Sequence, residues 1–197
     1  MIIGGVFPTL RRVVGLEGIP PRDGRSGRIV AVIECVLNQN ARDAGAASVP
    51  AMNQGVLRLC AEHQAGIVQI PCPEREYLGL RRRRPGGTSI RQALDTPGGR
   101  HCCAQISNRI ADRLFDYVSN GYRVLAILGG NVQSPGCAVI ADEVGLSSDS
   151  GVLMQQLSLA LRERHMDIPF HGIRDVDPDL EQEDLEWLRA TLQSAGP

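Results

Sequence analysis

The stretch Arg28–Cys35, RIVAVIEC, decides how the rest of the chain is read. Ile29, Val30, Val32 and Ile33 put apolar, β-branched side chains on both faces of an extended backbone. That is the composition of a strand covered on both sides, as in a parallel sheet. Its end is unusual. A cysteine follows Glu34, and then comes a polar, Asn-rich turn, VLNQNARDAG, running to Gly45. A packing cysteine belongs inside a strand; one at its exit faces whatever lies beyond the sheet edge.

The same kind of run recurs further along. AGIVQIPC (Ala65–Cys72) is a second short apolar strand ending in cysteine. YRVLAILGG (Tyr122–Gly130) is a third, followed by the exit loop NVQSPGCAV. DIPFHGI (Asp167–Ile173) is a fourth and weaker one. Helical periodicity fills the gaps. Pro50 opens a helix to about His63 with Val56, Leu57 and Cys60 at helical spacing. Cys103, Ile106, Ile110, Leu114 and Tyr117 make one face of a helix from about Arg100 to Asn120, where Asn120-Gly121 is a stop. Ser150 is placed to cap a helix carrying Leu153, Leu157 and Leu161. Asp177-Pro178 starts a last helix with Leu185, Leu188 and Leu192 on its face. Strand and helix alternate four times, which predicts a single-domain, three-layer α/β sandwich with a mostly parallel sheet, Rossmann-like. Residues 1–28, rich in Gly, Pro and Arg, read as a disordered N-terminal extension. Residues 29–197 read as the one domain. Pro73–Gly99 reads as a long irregular stretch, and long loops in compact domains are usually functional.

With 43% hydrophobic and 22% charged residues and a net charge of -1, nothing global points to nucleic acid or an anionic membrane. All 21 basic residues are arginine. Without lysine, neither a Schiff-base enzyme of the pyridoxal-phosphate kind nor a Walker-type nucleotide hydrolase can be built. No apolar run reaches the ~20 residues of a membrane span. Six cysteines are too few for a disulfide scaffold in a chain of this size. A cytoplasmic protein with reduced thiols is expected.

Cys35, Cys72 and Cys137 fall at the exits of the first, second and third strands. In an open parallel sheet those exits share one edge, where ligands bind. Three cysteines distant in sequence are therefore expected to meet. Cys60, Cys102 and Cys103 are on helices and suit packing. Three thiolates allow several chemistries. A histidine could complete a zinc site. An iron–sulfur cluster could be held with one iron left open. A single cysteine could act as a nucleophile with His63 or His101 as base.

VIECVLNQNARDAG, GIVQIPCPEREYLGLRR, DTPGGRHC, NGYRVLAILGG, SPGCAV and DIPFHGI together resemble a branch of the 2-thiouracil desulfurase-like (TudS-related) putative desulfidases. The resemblance covers about residues 29–174. It implies an oxygen-sensitive 4Fe–4S cluster on Cys35, Cys72 and Cys137, whose open iron takes sulfur from a thiolated substrate through a transient 4Fe–5S species. The family loop usually reads Ser-Pro-Ser-Cys-Gly; here it is Ser134-Pro135-Gly136-Cys137-Ala138. A sulfurtransferase running sulfur the other way, or a non-enzymatic metal or iron–sulfur module, would use the same ligands.

Around these cysteines, Glu74 is the candidate acid–base group and Ser134 a hydrogen-bond partner of cluster or substrate. Asn38, Asn40 and Asp43 are candidates to read a heterocycle edge, or alternatively Asx-turn residues holding the loop. Tyr77 is a candidate to stack on a flat base. The expected partner is a small thiolated compound. The run Arg81–Arg84 is either a solvated loop or a grip for the backbone of a thiolated tRNA. Gly129-Gly130 is weak as a phosphate loop.

Overall fold

In the computed structural model, residues 23–142 and 145–194 are described. β1 (Arg28–Ile33), β2 (Gly66–Ile70), β3 (Arg123–Gly129) and β6 (Phe170–Gly172) form one sheet in the order β2-β1-β3-β6. All its pairings are parallel. A two-residue pair, β4 (Ala141–Asp142) with β5 (Gly145–Leu146), lies outside it.

Helices follow in chain order: α1 (Glu34–Leu37), α2 (Gln54–Glu62), α3 (Pro73–Leu78), α4 (Ile90–Leu94), α5 (Pro97–Ser119), α6 (Val152–Glu163) and α7 (Pro178–Ser194). α2 packs on α7, and α5 packs on α6. Right-handed crossovers put α2 on one face of the sheet and α5 and α6 on the other. The chain is a Rossmann-like α/β sandwich, as the alternation predicted. It steps from β1 outward to β2, then back past β1 to β3. That reversal puts the topological switch point, where open parallel sheets bind ligands, between the carboxyl ends of β1 and β3.

The core sits on both faces of β1 and β3. Val30, Val32 and Ile33 are fully buried; each contributes roughly 1.5–3 kcal/mol by leaving water. α5 and α6 bury Ile106, Ile110, Leu114, Leu153, Leu157 and Leu161 against them.

Several local expectations change. Residues 34–37 are a turn of helix, so Cys35 lies one residue into α1 rather than at the last strand position. α2 begins at Gln54, because Asn53 caps it by accepting from the Val56 amide. It buries Leu59, not Leu57. The stretch after Pro73 is not irregular throughout. It contains α3, with Cys72 at its N-cap, and α4, closed by a capping box of Ser89 and Gln92. Ser150 does not cap α6; Gly151 holds that position, and the Ser150 hydroxyl is spent on Ile140 instead. The disordered extension expected over 1–28 falls mostly outside the described residues. Within them, Arg28 already belongs to β1, and Arg25 reaches the Tyr122 hydroxyl. No helix among the described residues is long and apolar enough to cross a membrane.

Candidate functional site

All six cysteines are free thiols. Cys35, Cys72 and Cys137 are buried, and each comes from the segment just beyond a different strand. β1 and β3 are neighbours, so their exits bring Cys35 and Cys137 together, close enough that each acts on the ionisation of the other. β2, on the other side of β1, delivers Cys72 within electrostatic range of both.

Close packing holds the third segment. The loop bearing Cys137 folds back so that Gly130 donates to its carbonyl at 2.8 Å. A β-carbon at Gly129 would stand 2.6 Å from that same carbonyl, and one at Gly130 would stand 2.8 Å from the Cys137 sulfur. The glycine pair is thus a seat for the cysteine loop rather than a phosphate cradle. Gly151 does the same, since a β-carbon there would run into the Cys137 amide nitrogen.

Polar groups tie the strand exits to one another. Glu34, buried beside Cys35, accepts the Cys72 amide at 2.9 Å and pairs with Arg75 at 2.8 Å. Glu74 pairs with Arg82 at 3.3 Å and accepts from the Ser134 hydroxyl at 3.3 Å. Ser134 Oγ also lies 3.0 Å from Cys137 Sγ. Arg82 Nη2 donates to the Ala41 carbonyl at 2.6 Å and reaches Cys72 Sγ at 3.7 Å. Beyond β6, Asp175 accepts from Arg42 Nη2 at 2.7 and 2.8 Å and from Gln39 at 3.0 Å. Every exit on this edge is therefore braced to another.

These neighbours separate the thiols electrostatically. Cys35 is lowered by the hydrogen bond it accepts from Cys137 and by Arg42, against the cost of burial. Cys137 donates that bond and is wholly buried, which pushes it well up. Cys72 is pushed up to about 12, chiefly by burial and then by Glu74. No histidine figures among the groups acting on the three thiols. His101 is exposed on α5 and His63 ends α2, so neither is paired with a cysteine as base.

Ser134 lies against the Cys137 thiol, and Glu74 stands within electrostatic range of Cys72 and Cys137. Asn38, Asn40 and Asp43 bond within their own turn. Asn38 Oδ1 accepts from the Asn40 amide at 3.1 Å and from its side chain at 3.0 Å, and Asp43 Oδ1 accepts from the Ala44 amide at 2.9 Å. Their side chains shape the turn. Tyr77 is 38% exposed, with its hydroxyl 3.2 Å from Thr96. Arg81–Arg84 is not one uniform loop. Arg82 is buried, Arg84 is pinned to the Thr88 and Arg82 carbonyls, and Arg81 and Arg83 are exposed. The sequence reading missed Glu34, Arg42, Arg82 and Asp175; the one local signal was the proximity of the first two to Cys35.

The donor set suits a polynuclear iron–sulfur group: three soft thiols, buried, with hydrogen-bond donors at hand and cations nearby to offset charge. Among the described residues no group of three His, Cys, Asp or Glu side chains closes on a single ion position. The protein ligands of a four-iron cluster go to different irons and need no such point of convergence. Cys72 and Cys137 stand as neutral thiols, so loading them would release protons.

No protein-family model matches the chain, and no solved structure matches it. The chain is similar to a protein of Methanocaldococcus jannaschii described as uncharacterized. The two are 29% identical over 129 residues, covering 66% of this chain and 74% of that one.

Proposed function

We propose that this chain is an iron–sulfur-dependent desulfidase acting on a small thiolated compound or nucleobase. The net reaction is hydrolytic and redox-neutral: a thiocarbonyl and water give a carbonyl and hydrogen sulfide. The observation that supports it most is the gathering of three buried free thiols from three strand exits, beside the hydrogen-bonded pair Glu74 and Ser134. When bound on Cys35, Cys72 and Cys137, a 4Fe–4S cluster supplies one iron without a protein ligand, a soft Lewis acid for sulfur.

The chain's own groups do the rest. Glu74 accepts a proton from the attacking water at its carboxylate and returns it to the departing sulfur or a ring nitrogen. Arg82 holds one Glu74 oxygen, which leaves Oε1, the oxygen facing Ser134, for that exchange. Ser134 links Glu74 to Cys137 and orients the substrate edge. Tyr77 offers a ring face to a flat heterocycle. Should the base be carried on a tRNA, Arg81 and Arg83 are the phosphate contacts. The chemistry requires a reducing setting, and we place the protein in the cytoplasm.

The test is iron and acid-labile sulfide per chain after purification or reconstitution without oxygen. About four of each, with broad absorbance near 400 nm, is expected. Sulfide release from a thiolated pyrimidine should follow. No iron, or stoichiometric zinc, overturns the reading.

A further inference from the structure

Two arginines are built into the thiol site in a way that a solvated charge or a loop tie does not require. Arg82 is 2% exposed in the middle of a run whose flanking members, Arg81 and Arg83, are exposed. Its backbone stands at φ 48°, in the left-handed region that a bulky residue adopts only when its surroundings impose it. A guanidinium has five N–H groups, and every one of them has an acceptor. Nε serves Glu74, Nη1 serves the Gly79 and Leu80 carbonyls, and Nη2 serves the Ala41 carbonyl and the Cys72 sulfur. Four of these bonds would fix the loop; the fifth ends on sulfur.

Arg42 repeats the arrangement from the other side. Asp175 clamps its Nη2 and the Ala46 carbonyl and Ser48 hydroxyl take Nη1, while Gln39 bridges the same Asp175 to the Cys35 carbonyl, which holds the guanidinium charge beside the Cys35 thiol. Cys137 has the Ser134 hydroxyl. Two of the three sulfurs thus lie beside a guanidinium, and Arg82 donates to one of them directly.

We propose that Arg82, by donating an N–H hydrogen bond to the Cys72 sulfur, and Arg42, by the charge that Asp175 and Gln39 hold beside Cys35, are positioning residues that raise the reduction potential of the cluster these thiols hold. This rests on the cofactor reading above. Hydrogen bonds to ligand sulfur, and positive charge beside it, favour the state with the extra electron. Removing the Arg82 donor or the Arg42 charge leaves the reduced state less stabilised, so the potential falls.

The experiment uses the full chain reconstituted with iron and sulfide without oxygen, in the wild type and in R82Q, R82K, R42Q and R42K. The control is R91Q, which loses bonds to Asp95 and the Ser150 carbonyl. Midpoint potential is read by a mediated redox titration and folding by thermal melting. R82Q and R42Q are expected to titrate at more negative potential than wild type, with the lysine variants in between. R91Q should melt earlier and titrate as wild type does. If R82Q does not fold, R82K and both Arg42 variants carry the comparison. Folded, iron-loaded variants that all titrate with the wild type would overturn the proposal and leave the cofactor reading standing. Wild-type protein that takes up no iron would overturn both.

Discussion

A serine at residue 136, the residue usual in the family the sequence resembles, would begin with a β-carbon 2.7 Å from Pro73 Cγ and 3.3 Å from Glu74 Cγ. The glycine there is thus tied to the tight approach of the Cys137 loop to α3. Gly136→Ser is expected to cost about 1–3 kcal/mol in urea unfolding, and to weaken iron retention because Glu74 must move. Unchanged stability would mean the loop yields freely. At the same scale, Cys35→Ala, Cys72→Ala and Cys137→Ala should each lose the iron that Cys60→Ala and Cys102→Ala keep. Equal iron in all five variants would refute the ligand assignment. The three site cysteines were legible in the sequence because strand exits are visible as hydrophobic runs that stop. Arg82 was not. Four adjacent arginines look alike along a chain, and only the left-handed turn at one of them sends that side chain inward.

Among the elements, the long ones were legible and the short ones were not. α5 declares itself by five apolar residues at helical spacing. α3 and α4 have only six and five residues, too few for a period to show. Ser89 followed by Gln92 carried the capping-box signal of α4 nonetheless. Ser150 misled because a serine before an apolar helix looks like a cap; a loop backbone group from Ile140 claims it first. Asn53 is the cap that couples elements. Its Oδ1 accepts the Val56 amide of α2 at 2.9 Å, while its Nδ2 donates to Glu181 of α7 at 2.6 Å. Asn53→Ala should therefore cost about 2 kcal/mol, more than an exposed cap. The double variant with Glu181→Ala should cost less than the sum of the singles. Strict additivity would show that the helices are not coupled through this residue.

For the molecule as a whole, buried thiols outside the site make stability depend on alkaline pH. The Cys60 thiol is pushed by burial from 9.0 to about 11. Below 9.0 it is neutral in both folded and unfolded chains, and its contribution is fully present. Between 9.0 and about 11 only the unfolded chain ionises, so stability falls as pH rises. Two units correspond to about 3 kcal/mol. Cys60→Ala removes this ionisation, so its deficit against wild type, measured by urea unfolding, should shrink by that amount between neutral pH and about pH 11. A constant deficit would place the thiol in contact with water. At this scale the alternation of runs made the fold class legible. The order β2-β1-β3-β6 was not, because the side of β1 on which β3 docks is fixed by crossover handedness and packing.

The four-way bracing of the strand exits bears on how the protein is born. Cys35, Cys72 and Cys137 lie far apart along the chain and come together only when parallel strands pair, contacts that form slowly. The last brace, Asp175, follows β6 and leaves the ribosome after all three thiols have done so. Until then a growing chain carries three thiols whose cradle lacks its brace from the fourth strand exit. The site is complete only once Asp175 is in place, and an oxidising moment before that would trap mispaired disulfides instead of the native arrangement.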